Sequence, residues 1–294
     1  VPELPEVESL VRFLDGRAAG RTVAAVDVGA ISALKTFSPA PVDLVGRSVV
    51  HATRHGKWID VVTAAPAGAD VSPVHLVVHL ARAGWLRWYE QVPSTPVRPG
   101  RSPIALRVRL DDGSGFDLTE AGTRKRLAVH VVRDPAEVPM IASLGVEPLG
   151  DDFTVARLAE LASARNQQLK GLLRDQHLIA GIGNAYSDEI LHAARLSPFT
   201  LTRSLGADDV ARLHGVVVQV LTQALEASSG RPAAELKDAK RRGMQVHGRA
   251  GQACPVCGDT VLEVSFADSA LQYCPTCQTG GRPLADRRMS RLLR

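Results

Sequence analysis

Four cysteines, Cys254, Cys257, Cys274 and Cys277, stand in the pattern C-x2-C-x16-C-x2-C, and they are the only cysteines in the 294 residues. Two tight turns joined by a hairpin present four thiolates at this spacing, the arrangement of a structural zinc site. Two redox-active pairs have the same composition, but a second matched pair at ribbon spacing favours one zinc ion held by all four. A module this short buries too little apolar surface to fold alone, so the metal supplies its folding energy. Such a ribbon binds nucleic acid, binds protein or serves as a clip, and by itself does not say which.

The rest of the chain is long enough for two or three compact units, each with its own core. With 45% hydrophobic and 22% charged residues it has a globular composition, and 4% aromatic content limits base stacking. The formal net charge is only +4, and the excess lies late: from Arg231 onward there are 11 basic and 6 acidic residues. That footprint suits a polyanionic partner, or equally a solvated basic surface. There is no apolar stretch of membrane length and no cleavable signal pattern. The expectation is a cytoplasmic chain with no membrane role, acting as a monomer; no protein partner can be deduced.

Periodicity divides the sequence. Leu4, Val7, Leu10, Val11 and Leu14 recur at helical spacing after Pro2 and Pro5, which predicts a short helix over residues 2–14. Strand signals follow at 23–28, 48–53, 58–62, 75–79, 84–89, 104–110, 115–119 and 127–132. Many short strands without intervening helices point to a sandwich or a barrel. Beyond residue 152 the period becomes helical, over 153–163, 167–174, 184–194 and 207–228. The chain therefore reads as α+β and multidomain. We expect a catalytic unit at 2–133, a hinge at 134–152, a helical unit at 153–230, the metal module at 244–280 and a basic tail at 281–294.

Gly181 and Gly183 sit beside Asn184 at the entry of a predicted helix. Glycines let a backbone approach closely, and free N–H groups at a helix start favour phosphate. An ordinary helical hairpin uses the same residues.

The segments VPELPEVESL at the N-terminus, RHGKWI around Lys57, AGIGNAYSDEIL around Asn184, HGRAGQAC around Arg249 and YCPTCQ at the metal site appear in collinear order. Together they resemble the Fpg/Nei family of DNA glycosylases, over nearly the whole chain. The resemblance implies an N-terminal β-sandwich with a leading helix, a C-terminal helix-two-turn-helix domain and a zinc finger, with damaged DNA as partner. It also implies a bifunctional DNA glycosylase and AP lyase, associated with the bacterial nucleoid through DNA.

By the same resemblance Pro2 is the nucleophile, Glu3 the proton donor, Glu6 a supporting carboxylate and Lys57 a catalytic lysine at a phosphate near the lesion. Asn184 and Arg249 would orient the backbone beside it. The chemistry is sound for these residue types: an α-amino group with pKa about 8 is neutral near pH 7 far more often than a lysine at about 10.4. Val1 as written would block Pro2, so Pro2 is expected to become terminal by processing. Taken singly, Glu3 and Glu6 are also what a helix dipole favours in a first turn.

Three departures from the family pattern stand out. Ser269 occupies the position, five residues before the third cysteine, where the family carries a phosphate-clamping arginine; Arg282 or Arg287 of the tail could substitute. Arg82 stands in HLARAG where an apolar methionine wedge is usual, and the later wedge loop EAGTRKRLA offers Arg124, Lys125, Arg126 and Leu127, with Arg124 and Arg126 expected at the DNA. Residues 229–244 are also short for a loop that caps oxidised guanine. These features lean toward the Nei side of the family. A lesion-binding protein that lost efficient catalysis is the alternative, and an unrelated zinc-ribbon adaptor would leave the N-terminus unexplained.

Overall fold

The computed structural model describes residues 2–65, 72–100, 102–266 and 269–285. They fall into two compact units, residues 1–144 with 228–236, and residues 145–227 with 237–294.

The first unit opens with helix α1 (Leu4–Ala18), which starts where Glu3 takes the N-cap position and Pro5 occupies the first turn, where its missing N–H costs nothing. Val7, Leu10, Val11 and Leu14 face the core as their spacing requires, and the helix runs one turn past the expected end because Ala18 is also buried there. Eight strands follow: β1 (Val23–Val28), β2 (Ser48–His55), β3 (Trp58–Ala64), β4 (Val74–His79), β5 (Gly84–Tyr89), β6 (Ile104–Leu110), β7 (Gly115–Glu120) and β8 (Ala128–Val132). They form two antiparallel sheets in the orders β1-β6-β7-β5 and β2-β3-β4-β8.

Strand alternation decides how these sheets pack. Ile59, Val61, Leu76, Val78, Val129 and Val131 of one sheet are buried in a common core with Leu86, Leu106, Val108, Phe116 and Leu118 of the other. Each such side chain contributes about 1.5–3 kcal/mol. A sandwich results, tied at one corner by the Thr22–Ser48 bridge and by Val23 N–H donating to Arg47 O at 2.9 Å. Trp58, Val77 and Val132 lie on the outer face of the second sheet, where Val138 covers them. Helix α2 (Pro139–Ala142) then follows a turn capped by Asp134, whose Oδ1 accepts the Ala136 N–H at 2.8 Å.

Residues 228–236 belong to this first unit although they lie far along the chain. Trp85 Nε1 donates to Ala233 O at 3.1 Å, the Ser9 and Ser228 hydroxyls meet at 2.9 Å, and Ala233 and Leu236 are buried in the sandwich core.

The second unit contains α3 (Val155–Ala164), α4 (Leu169–Arg174), α5 (Asn184–Ala193) and α6 (Ala207–Ser228), all close to the periods read from the sequence. A further helix, α7 (Leu236–Gly243), forms where only a shortened capping loop was expected; its Leu, Lys, Ala and Arg residues are good helix formers. The hairpin β9 (Leu262–Ser265) and β10 (Ala270–Tyr273) and the short α8 (Pro275–Thr279) complete it. Among the described residues no helix is long and apolar enough to cross a membrane.

Candidate active site and metal centre

Pro2, Glu3 and Glu6 are all buried at the start of α1. Glu3 and Glu6 are only 2% and 3% exposed, and the Glu3 N–H donates to Glu6 Oε2 at 2.8 Å. Two carboxylates this deep need compensation, and the N-terminus of a helix, with its unpaired N–H groups and positive dipole end, supplies it. The position of Glu3 is therefore fixed through the backbone by Glu6.

Lys57 lies in the tight turn between β2 and β3, beside Gly56 in the left-handed region at φ +55°. One guanidinium links this turn to α1: Arg54 Nε donates to Glu8 Oε2 at 2.9 Å while its Nη1 donates to Gly56 O at 3.0 Å. Burial works to raise the Glu8 carboxyl, but the hydrogen bonds and charges of Arg54 and Arg12 outweigh it and hold it below its ordinary value. Burial, aided by the Lys57 charge, pushes the neighbouring His79 down to about 4. Its ring lies 4.7 Å from that of Trp58.

The two wedge-loop candidates are brought together. Arg82 is exposed in the turn after β4, next to Ala81 at φ +51°, and the Ala121 N–H donates to Ala83 O at 3.3 Å, joining this turn to the 121–126 loop. Buried Glu120 shapes that loop by accepting the N–H groups of Arg126 at 2.7 Å and Leu127 at 3.1 Å. The ambiguity of register is thereby reduced: Leu127 is 1% exposed within the sandwich core, Lys125 Nζ is bonded to Glu120 O, and Arg124 and Arg126 face solvent.

In the second unit the glycine turn is braced by Gln176, whose Oε1 accepts the Gly181 N–H at 3.0 Å and whose Nε2 donates to Ile182 O at 2.7 Å. Gly181 has φ +85°, which explains a glycine there. Asn184 opens α5; its Nδ2 donates to Ala270 O of β10 at 2.7 Å, and its buried Oδ1 has no hydrogen-bond partner among the described residues. The helix entry is thus fastened to the finger hairpin by the residue expected to touch DNA. Arg249 is half-buried in a turn closed by its N–H to Val246 O at 3.0 Å.

Sequence reasoning passed over the residues that hold this unit together. Glu189 accepts the N–H groups of Gln245, Val246 and His247 at 2.7, 3.0 and 2.8 Å, fixing the approach to Arg249. Burial raises its carboxyl above the ordinary value against those bonds. Asp188, wholly buried, accepts from Lys170 Nζ at 2.6 Å and from the Gln272 N–H at 3.2 Å, and its Oδ2 lies 2.8 Å from His247 Nδ1. The signal was present as two adjacent acids, Asp188 and Glu189, directly before the apolar pair Ile190 and Leu191 of α5.

The four cysteine sulfurs lie within 4.8 Å of one another, with Sγ pairs at 3.9 Å (Cys254–Cys277) and 3.3 Å (Cys257–Cys274). Tetrahedral zinc with bonds of about 2.3 Å needs sulfurs about 3.8 Å apart, so the donor set fits one ion. His192 of α5 places Nε2 3.3 Å from Cys254 Sγ, an outer contact of the kind that tunes metal sites. At the hairpin tip the Phe266 N–H donates to Ser269 O at 2.7 Å, so Ser269 is part of the turn itself. Arg282 is exposed, and Arg287 lies outside the described residues.

Comparison with known proteins agrees over nearly the whole chain. Residues 1–129 match the formamidopyrimidine-DNA glycosylase N-terminal domain, 144–233 the formamidopyrimidine-DNA glycosylase H2TH domain, and 251–280 the zinc finger found in FPG and IleRS. A formamidopyrimidine-DNA glycosylase of Symbiobacterium thermophilum is 34% identical over 95% of this chain and 89% of its own length. An uncharacterized formamidopyrimidine-DNA glycosylase-like protein of Mycobacterium tuberculosis is 52% identical, covering 54% of this chain and 99% of that protein. The structure of the Lactococcus lactis formamidopyrimidine-DNA glycosylase, non-covalently bound to DNA containing an AP site, superposes with a TM-score of 0.78 at 25% identity, covering 94% of this chain and 99% of the other. The sandwich, the helical domain, the four-cysteine finger and these similarities together make the chain a member of the formamidopyrimidine-DNA glycosylase family.

Proposed function

We propose that this base-excision-repair DNA glycosylase removes oxidised bases through a covalent Pro2 adduct and then cleaves the strand by elimination. The observation that carries the reading is the buried Pro2-Glu3-Glu6 group at the head of α1, with Glu6 holding the Glu3 backbone at 2.8 Å. The Pro2 nitrogen, once terminal, attacks C1′; the N–C1′ bond forms as the glycosidic bond breaks and the base leaves. Glu3 protonates the ring oxygen as the sugar opens. A secondary amine gives an iminium with no N–H proton to lose, an electron sink that lets the C2′ proton depart and the 3′ phosphate leave. Lys57, Asn184 and Arg249 are assigned to phosphates, and Arg82, Arg124 and Arg126 to the gap left by the extruded nucleotide. Zinc would be held by Cys254, Cys257, Cys274 and Cys277 and would shape the finger without entering the chemistry.

For substrate, we favour abasic sites and oxidised pyrimidines over oxidised guanine. An exposed cation at Arg82 replaces an apolar wedge, and residues 228–236, where a capping loop would begin, are fastened into the sandwich core.

Borohydride reduction of the enzyme with abasic-site DNA tests the mechanism, because it freezes the iminium. The expected result is a covalent complex, weakened in Pro2→Gly and abolished by an N-terminal extension. Equal trapping by the extended protein would move the nucleophile elsewhere, with Lys57 the first suspect. No trapping under any condition would favour the second reading, a lesion-binding protein without efficient catalysis, for which Ser269 at the hairpin tip speaks.

A further inference from the structure

Helix α7 carries Lys237, Lys240, Arg241 and Arg242 in eight residues, against a single acid, Asp238. Lys237, Arg241 and Arg242 are exposed, and Arg241 meets Asp238 only at 3.7 Å with both side chains largely in solvent. Cations in a last turn complement the helix dipole, which accounts for their tolerance but not for where they are held. The location is specific: Lys240 Nζ sits 4.6 Å from the ring centroid of Tyr186, a buried residue of α5 two positions beyond Asn184. Past the helix, buried Met244 and the three N–H bonds to Glu189 fix the chain on that same helix just before Arg249. At the other end Leu236 is buried in the sandwich core. The basic segment is therefore anchored on α5 and laid beside the helix entry assigned to the DNA backbone.

The geometry points to α7 as a second backbone clamp, in which Lys237, Arg241 and Arg242 contact phosphates of bound DNA while Lys240, stacked on Tyr186, sets the helix in place. This rests on the reading of Asn184 and Arg249 as backbone contacts, and it supplies cationic contacts that the hairpin tip lacks at Ser269. The occupant is a phosphodiester backbone and not a base, because the exposed lysine and arginine side chains of this helix offer charge and donors without an apolar wall.

The test measures DNA affinity of the whole zinc-loaded chain against salt, for undamaged and abasic duplexes. Each lost phosphate contact lowers the slope of log K against log salt by about 0.9, so Arg241→Gln with Arg242→Gln should lower it by about 1.8. The double variant should also weaken binding about tenfold or more, equally on both duplexes. Arg157→Gln on α3 with Arg165→Gln at its C-cap, an equal loss of charge, should change the slope far less. If the glutamine variant loses its fold, Arg241→Lys with Arg242→Lys becomes the probe and must keep the wild-type slope. Wild-type slope and affinity in the folded glutamine variant would overturn the role of α7 while leaving abasic-site cleavage intact. Failure of the wild-type chain to bind or cleave abasic DNA would instead overturn the underlying reading.

Discussion

Lys170 and Asp188 form an ion pair of 2.6 Å with side chains only 7% and 0% exposed, and through Asp188 the pair also reaches His247 and the backbone of β10. Removing one partner of such a pair leaves an uncompensated buried charge, which costs about 3–5 kcal/mol. Asp188→Ala should therefore destabilise the second unit by about that amount in urea unfolding and lower DNA affinity with it. A loss below about 1 kcal/mol would show that α5, α4 and the finger are not coupled through this carboxylate.

His79 gives a prediction about acid. Its folded value of about 4 lies below the ordinary 6.5, so between these values the unfolded chain binds the extra proton. Its contribution is fully present above pH 6.5 and disappears as pH falls toward 4, a change of about 2–3 kcal/mol. Glu189, whose carboxyl is raised, titrates in the opposite sense, so the informative quantity is the difference between wild type and His79→Gln. That difference should shrink from pH 7 to pH 4 in denaturant titrations; a constant offset would place the His79 proton on the folded protein.

Zinc removal should act locally. A chelator, or Cys254→Ser, should unfold the β9–β10 module and abolish tight DNA binding while amide protection in β3, β4 and β6 persists. His192→Ala should weaken zinc about 10–100-fold in competition with a chromophoric chelator, since an outer partner of a ligand sulfur is lost. Unchanged zinc affinity would mean that the His192 contact only fills space.

The hairpin tip offers a gain of function. A charged hydrogen bond is worth about 1.5–3 kcal/mol, about ten- to a hundredfold in rate, so Ser269→Arg should raise activity on double-stranded lesions by up to that factor. Oxidised guanine opposite cytosine should remain a poor substrate of the unmodified enzyme beside abasic DNA. Excision of oxidised guanine at a rate matching abasic-site cleavage would reverse the substrate assignment.

Much of this architecture could be read from residue order. Alternation and β-branched runs between turn residues placed all eight strands within a few residues, and cysteine spacing alone located the finger. What escaped depended on contacts distant in sequence. Nothing local distinguishes Asp188 and Glu189 from ordinary helix acids, because residues 245–247 and 272, which partner them, lie far along the chain. Leu127 read as a wedge candidate because nothing local shows that Glu120 folds the loop so as to turn it inward. Helix α7 was missed because it is short and strongly polar, with a single buried leucine at its start, so hydrophobic periodicity gives it little weight.

The return of residues 228–236 to the sandwich has a practical corollary for anyone wishing to divide the protein. Because the chain passes from one unit to the other at 144–145, 227–228 and 236–237, no single cut separates them. A fragment ending near residue 144 would lack Ala233 and Leu236 from its interior and would leave the Trp85 indole N–H without its carbonyl. Such a piece would be expected to expose apolar surface and aggregate. A protease nick between the units should instead leave fragments that stay together until denatured, so that intactness on a native column and on a denaturing gel would disagree.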